Sequence, residues 1–389
     1  MKKALFIYPH NFLMRNMGTN IRVYNIAAYL KEKGFQIDLF ALKNFCSPDF
    51  LKKGDENPDR LVANFYLYDF KNVQAHLRSK GHVNALKKIV SKLGCTFNTG
   101  LQDWTDPGMR AMFEDILKNE YEYIVSFYLY TGNLLKDRKI RAKKIIFMED
   151  FLSVAHYLDG SNTNIGASIE SEIRMCSNFD GIAFISSDEK NFFEKVLPPT
   201  AKCYFLPHIM RPNVRNLATQ RTRDVLFLGH DNIYNIDGMS WFFANVYPHI
   251  DAHITIHIGG NICGHISDGY PNVKKLGFVK NVDDLYGQTK VSICPLLNGT
   301  GLKIKVVEAM NHGIPVVCTA RGVDGFPDKT RNGCLVTDDP KEFASYINSL
   351  CTDEQLRLRF ANEVAVYADM CFGYGKTTKT LNQIFDIEN

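Results

Sequence analysis

Along the C-terminal half of the chain, short apolar runs rich in β-branched residues alternate with helical patterns. Few folds accept that rhythm. The runs fall at 225–228, 254–258, 273–276, 291–294, 315–318 and 334–336. Helical patterns lie between most of them, at 238–246, 282–286 and 303–311, and the stretches 341–350 and 354–367 follow. Strands that are apolar throughout belong in a sheet covered on both faces, and alternation with helices makes that sheet parallel. The N-terminal half repeats the theme less regularly, with strands predicted at 3–8, 35–42, 65–68, 123–127, 145–148 and 182–185. Helices are predicted over 20–33 and 167–176, and Pro107, suited to a first turn, predicts another over 107–117. Helix 20–33 has a broad apolar face of Ile21, Tyr24, Ala27, Ala28 and Leu30, and Gly34 stops it.

A chain of 389 residues has room for two such domains. The stretch 207–222 holds Pro207, Pro212 and several Asn and Arg, with neither period, so the boundary is placed there. The expected division is an N-terminal domain over 1–207, a linker over 208–222 and a second domain over 223–370. A helical tail over 371–389 is expected to pack back on the first domain.

Several classes are disfavoured. A net charge of +4 lacks the concentrated basic surface of a nucleic-acid binder. No apolar run approaches the ~18–20 residues that span a bilayer. The apolar start at Ala4–Tyr8 is shorter than the ~7–15 residues of a signal-peptide core, and reads as a strand. The ten cysteines are scattered without a CxxC pair, which predicts reduced thiols in a cytosolic protein. The strongest charge run is Lys136, Arg138, Lys139, Arg141, Lys143 and Lys144. It reads as a solvated turn, with peripheral contact to anionic lipid at the inner membrane face as the second reading.

The most informative stretch runs from Pro295 to Cys318. A buried strand ends at Pro295, a turn with Gly299 and Gly301 follows, and a helix opens near Leu302. A strand, turn and helix N-terminus in that order present backbone donors and a positive dipole end to an anion such as a diphosphate. Lys303 and Lys305 add positive charge there. Lys305 and Glu308 lie ~60° apart on one helix face, so one side offers a cation to phosphate and a carboxylate to hydroxyl groups. An ordinary exposed Lys–Glu i,i+3 pair has the same spacing, and by spacing alone the two readings stand level.

This segment resembles the C-terminal domain of retaining glycosyltransferases of the GT-B fold, glycosyltransferase family 4 in particular. Members show a glycine-rich turn, basic residues and then Glu-Ala-Met/Leu-x-x-Gly-x-Pro-Val-Val. The resemblance implies that Glu308 holds the donor ribose, that Lys303 and Lys305 contact the diphosphate, and that Gly313 and Pro315 turn into the next strand. Gly299, Thr300, Gly301 and Leu302 are then the donor loop. Phe227-Leu228-Gly229 with Trp241-Phe242-Phe243 is similar to the first strand, loop and helix of that domain. The run Leu276–Tyr286 is similar to the strand and loop lining the nucleobase, which places Gly277 and Val279 there. Gly322-Val323-Asp324-Gly325 and Asp338–Ala344 resemble the closing segment. One position departs: many members have a second glutamate seven residues before the first, where this chain has Thr300.

In the N-terminal half, Met17-Gly18-Thr19-Asn20-Ile21-Arg22 resembles the loop after the first strand, usually Gly-Gly, that approaches donor and acceptor. Here Thr19 replaces the second glycine. The strand-end segment carrying Glu149, Asp150, Ser153 and His156 resembles the acidic segment where acceptor contacts collect. Asp150 or Ser153 as a cap of the next helix is the plainer reading, and His156 reads as packing. Tyr66, Tyr68, Tyr128 and Tyr130 read as strand packing, although rings near a cleft also stack on sugars.

The resemblance implies two Rossmann-like doubly wound α/β domains facing a central cleft. It also implies transfer from a nucleotide-sugar, with retention and no metal or other cofactor, to a glycan, lipid-linked or small-molecule acceptor. A sugar-nucleotide epimerase and a non-catalytic nucleotide-sugar-binding subunit are the alternatives.

Overall fold

Strand β1 (Lys3–Ile7) lies at the middle of a seven-stranded sheet with β2 (Gln36–Leu42), β3 (Asn64–Tyr68), β4 (Tyr123–Ser126), β5 (Lys143–Met148), β6 (Gly181–Phe184) and β7 (Lys202–Phe205). Its order is β3-β2-β1-β4-β5-β6-β7. A second, six-stranded sheet holds β8 (Arg223–Leu228), β9 (Ile256–Gly259), β10 (Val273–Gly277), β11 (Thr289–Cys294), β12 (Val316–Cys318) and β13 (Leu335–Val336), in the order β10-β9-β8-β11-β12-β13. Every pairing is parallel. In both sheets the order reverses beside the first strand, between β1 and β4 and between β8 and β11. The carboxyl ends of strands at such a reversal are where open α/β sheets bind ligands.

In this computed structural model the described residues are 2–15, 18–46, 60–70, 100–136, 140–162, 164–210 and 221–388. They divide into two compact units, one of Met1–Ile185, Glu189–Leu206 and Thr380–Asn389, the other of Ser186–Asp188 and Pro207–Lys379. Most of the stretch read as a linker, 211–220, lies outside the described residues, as do Met17, Arg138 and Lys139.

The first unit carries helices α1 (Gly18–Glu32), α2 (Pro107–Leu117), α3 (Leu152–Leu158), α4 (Ile165–Cys176) and α5 (Ser187–Val196). The second carries α6 (Ile233–Trp241), α7 (Val282–Gly287), α8 (Ile304–Asn311), α9 (Pro340–Thr352) and α10 (Glu354–Cys371), and α11 (Tyr374–Ile384) closes the chain. Local chemistry sets the starts: Asp106 accepts from the Met109 N–H ahead of Pro107, and Asp339 accepts from Glu342 N–H ahead of Pro340. Helix α6 begins five residues before its predicted start at 238, because Asn232 caps it by accepting from Asn235 N–H at 2.9 Å. The remainder, Phe242–Val246, winds as a π-helical turn.

Each sheet buries its own core. Phe40, Phe113, Ile146, Phe184 and Phe193 meet in the first, Phe227, Phe242, Ile258, Ile293, Phe343 and Ile347 in the second. The last residues belong to the first core: the Phe385 ring sits 5.3 Å from Tyr123 and 5.9 Å from Phe35. Tyr123 donates to Phe385 O at 2.7 Å, and Tyr29 to Asn382 Oδ1 at 2.5 Å. Lys143, from the basic run, pairs with Asp386 at 2.7 Å. The described cysteines are free thiols. Among the described residues no helix is long and apolar enough to cross a membrane.

Four glycines bind the carboxyl ends of β8, β9 and β10 together. Gly229 N–H donates to Gly259 O at 3.0 Å, and Gly260 N–H to Gly277 O at 2.7 Å. Gly260 has φ +96°, and a Cβ there would lie 2.2 Å from the Gly229 carbonyl oxygen. Backbone strain and a clash with fixed backbone add, so Gly260→Ala is expected to cost about 3–5 kcal/mol. Gly264→Ala, whose Cβ meets nothing within 4 Å, is expected to stay within about 0.5 kcal/mol. Urea unfolding of the two variants checks the contrast.

Candidate functional site

The second unit gathers its candidate residues where β8 and β11 give way to α6 and α8. Between β11 and α8 the chain turns through Gly299 (φ +118°) and Gly301 (φ +71°), conformations that residues with a Cβ avoid. Lys303 closes this turn. Its ammonium donates to Thr300 O at 3.1 Å and Gly301 O at 2.9 Å, and the residue is 7% exposed. The mobile cation expected at 303 is thus turned inward, where it holds the loop's shape. Leu302 is buried beside it, and Thr300 is half-buried. Lys303 occupies the cap position of α8 without a side-chain cap, so the helix presents its first backbone donors uncapped by side chain.

Lys305 points the other way. Its Nζ donates to Asn235 Oδ1 at 2.6 Å and lies 4.1 Å from the centroid of the Phe227 ring. Asn235 is itself tied to the loop after β8, donating to His230 O at 2.8 Å. Gly229 is required here, since a Cβ would come within 2.8 Å of the Phe227 ring and 3.2 Å of Asn235. The N-termini of α6 and α8 therefore share one lysine. Burial lowers the Lys305 pKa to about 8, aided by the neighbouring Lys303, while Cys294 and Glu308 oppose the shift. A cation held short of water in this way gains most from an arriving anion.

Glu308 lies one turn further along α8. The Tyr286 hydroxyl donates to its Oε2 at 3.3 Å, fixing the carboxylate's direction. Tyr286 is stacked against His312, which pairs with Asp283 at 3.0 Å. Burial lifts the Glu308 pKa to about 7, Tyr286 opposing and Asp283 adding to the shift. Lys305 and Glu308 are thus a half-buried pair with separate partners, unlike an exposed i,i+3 pair. Gly277 (φ +62°) ends β10, and Val279 is half-buried two residues on. Phe278 between them is 86% exposed. Asn235 and Gly260 are contributors that motif spacing does not reveal, while Phe227 and Tyr286 lie within the matching segments but without the contacts seen here.

The first unit brings its candidates together around the ends of β1, β4 and β5. Tyr8, after β1, donates to Asn20 Oδ1 at 2.6 Å and approaches Thr19 Oγ1 at 3.3 Å; Gly18 opens the same helix. Arg22 is fully buried, and its guanidinium donates to Glu149 Oε1 at 2.8 Å, Met148 O at 3.0 Å and Leu206 O at 2.9 Å. This engagement makes Arg22 a strut that orients Glu149 at the end of β5. Burial raises the Glu149 pKa to about 7 against the pull of Arg22. Asp150 is exposed beside it.

Neither Asp150 nor Ser153 caps α3. That part falls to Glu172 of α4, whose carboxylate accepts from Leu152 N–H at 3.0 Å, Ser153 N–H at 2.9 Å and Ser153 Oγ at 2.5 Å. His156 has a partner after all: its Nε2 is 3.2 Å from the Tyr130 hydroxyl. Among the described residues no group of three or more His, Cys, Asp or Glu side chains gathers as metal ligands would.

Residues 222–353, within the second unit, match the family described as Glycosyl transferases group 1. An uncharacterized 44.6 kDa protein in the cps region of Klebsiella pneumoniae is 24% identical over an alignment of 263 residues that covers 59% of this chain. The alignment covers 66% of that relative's length, just under two thirds. The fold is similar to that of HepE from Anabaena in complex with UDP and glucose, with a TM-score of 0.64 at 14% identity, covering 99% of this chain and 100% of that one. It is similar also to an S. aureus TarM variant in complex with fondaparinux, alpha-GlcNAc-glycerol and UDP, with a TM-score of 0.68 at 12% identity, covering 99% and 100%. The two parallel sheets, with these matches over the whole length, are the GT-B fold.

Proposed function

We propose that the chain is a glycosyltransferase whose second domain holds a nucleoside diphosphate sugar, UDP-linked as in the complexes of its structural neighbours. The observation that carries this reading is the half-buried Lys305–Glu308 pair on α8, each partner fixed by a residue from another element. Lys305 and the uncapped α8 N-terminus meet the diphosphate, and Glu308 accepts from the ribose diol. During transfer an acceptor hydroxyl oxygen bonds to the anomeric carbon and its proton passes to the departing phosphate, while the bond between anomeric carbon and phosphate oxygen breaks and that oxygen keeps the electron pair. Lys305 and the α8 dipole face the charge that develops there. In this reading no metal is required, the sugar keeps its anomeric configuration, and the reaction belongs to a cytoplasmic hexosyltransferase. Gly18 and Thr19 are assigned to the donor, and Glu149, at the end of β5, to the acceptor.

The test is calorimetric titration of Glu308→Gln with UDP and with 2′,3′-dideoxy-UDP. Losing a charge-assisted contact to the diol is expected to weaken UDP roughly 10- to 100-fold and leave the dideoxy ligand nearly unchanged. Equal losses would make Glu308 a structural helix residue.

A pH profile follows from the same pair. Glu308 must be ionised to accept from a diol, so UDP affinity rises as pH climbs through about 7. Lys305 must be protonated to meet the diphosphate. Its affinity contribution therefore falls above about pH 8, by up to about tenfold per pH unit where binding takes up one proton. The expected profile is a bell whose acid limb disappears in Glu308→Gln and whose basic limb disappears in Lys305→Met. A flat profile between pH 6 and 9 would separate these two groups from UDP binding.

A further inference from the structure

The far end of α8 is tied to α7 by a side chain that the donor contacts leave unused. Past Asn311 the helix closes with Gly313 N–H donating to Met310 O at 2.9 Å and Ile314 N–H to Ala309 O at 3.0 Å. His312 caps this end, and its ring turns back along the helix. Nδ1 lies 2.9 Å from Glu308 O, and Nε2 lies 3.0 Å from Asp283 Oδ1 in the first turn of α7. Each ring nitrogen therefore faces an acceptor. The ring bridges two helices whose contacting residues are 29 positions apart in sequence.

This bridge runs beside the contact that orients Glu308. Tyr286, also on α7, is 1% exposed and stacks on the His312 ring, with centroids 5.0 Å and planes 26° apart. Its hydroxyl is shared between Glu308 Oε2 at 3.3 Å and Lys305 O at 3.4 Å. Both distances are long for a hydroxyl donor, so a small shift of the ring loses both contacts. The ring stays in reach only while α7 and α8 keep their spacing, and His312 grips both helices.

The outer end of the bridge does little else. The Asp283 side chain is 74% exposed, and a contact at such a surface adds little to stability. Its charge works against the carboxylate it stands near, since burial and, behind it, Asp283 raise the Glu308 pKa to about 7. Neither stability nor charge gives Asp283 a part in holding a donor, whereas the spacing of the two helices does.

We propose that His312 is a positioning residue for donor recognition: by bridging Glu308 O to Asp283 it holds α8 against α7, so that Tyr286 turns the Glu308 carboxylate toward the ribose diol. This proposal rests on the reading of Glu308 as the residue that accepts from that diol.

The test is calorimetric titration of the full chain with UDP and with 2′,3′-dideoxy-UDP, in wild type, Glu308→Gln, His312→Phe and Asp283→Ala. His312→Phe keeps a ring against Tyr286 and removes both nitrogen contacts. Asp283→Ala removes the outer anchor at an exposed position, and serves if His312→Phe does not fold. Each is expected to lower the ratio of UDP to dideoxy-UDP affinity about 2- to 10-fold, the worth of one net hydrogen bond, with the dideoxy ligand held within about twofold. Equal weakening of both ligands overturns the proposal, because a general loss of structure does not distinguish them. Tighter UDP binding by Asp283→Ala also overturns it, since relief of the charge on Glu308 is then the whole effect. A ratio that collapses in Glu308→Gln but persists in both bridge variants sinks the bridge alone. A wild-type ratio near one sinks the Glu308 reading, and the bridge with it.

Discussion

Lys305→Ala is expected to leave a folded protein that binds UDP about 10- to 150-fold more weakly and uridine almost as before. The contrast comes from where the charge sits. Lys305 is half-buried, held by Asn235 Oδ1 and the Phe227 ring, so an arriving diphosphate recovers solvation that the ammonium lacks. A charge-assisted contact of this kind is worth about 1.5–3 kcal/mol. Uridine carries no phosphate to lose. Transfer is expected to fall further than binding, by a factor on the order of 10²–10³, because the leaving oxygen carries more charge in the transition state than in the bound donor. Calorimetry with UDP and uridine, and initial rates with a UDP-sugar, check both parts. Equal weakening of the two ligands would remove Lys305 from the diphosphate site.

Arg22→Met is expected to be the most destabilising single change in the first domain. Arg22 is fully buried with three hydrogen bonds to Glu149, Met148 and Leu206, and its removal strands the Glu149 carboxylate in the interior. Breaking one partner of such a pair costs about 3–5 kcal/mol. The deficit depends on pH with a definite sign. Glu149 already has a folded-state pKa raised to about 7 by burial, and without Arg22 it rises further. A group raised in this way contributes stability that is present below its unfolded pKa and lost as pH climbs through the folded value. Urea unfolding should therefore show a larger deficit at pH 8 than at pH 5.5. Arg22→Met combined with Glu149→Gln should recover part of the loss, because no charge is then left behind. A deficit independent of pH would mean that packing, and not the stranded carboxylate, carries the effect.

Six strands of the first sheet and all six of the second were legible from the sequence because apolar runs and helical periods are local properties, whereas β7, an edge strand with no fully buried residue, carries too weak an apolar run to show. The α8 segment was legible for the same reason, since Gly299, Gly301, Lys305 and Glu308 sit within ten consecutive positions. What escaped is what the fold assembles. Asn235 meets Lys305 across 70 residues of sequence, and nothing near either residue signals the other. Lys303 and Lys305 look equivalent in the sequence. Only the turn's geometry shows that one ammonium bonds the loop's own carbonyls while the other faces Asn235. Asp150 and Ser153 stand next to α3 in the sequence as candidate caps, whereas Glu172 of the following helix is what accepts from its first N–H groups. Tyr128 and Tyr130 stand together in the sequence, but their contacts with the rings of Tyr8 and Trp104 join distant segments. Ring alignment between distant loops has no periodicity to detect.

The packing of Phe385 against Phe35 and Tyr123, with Asp386 on Lys143, also sets a timetable for synthesis. The first domain's sheet is complete at β7, yet residues of α11 that cover part of it come only after Pro207–Lys379 has been made. At roughly 5–20 residues per second on the ribosome, that interval is on the order of ten to thirty seconds. Throughout it, the aromatic surface around Phe35 and Tyr123 waits without its cover while an entire second domain emerges and folds. The unit made first is thus the last to be finished, and its exposure to nascent-chain chaperones is governed by the length of its neighbour.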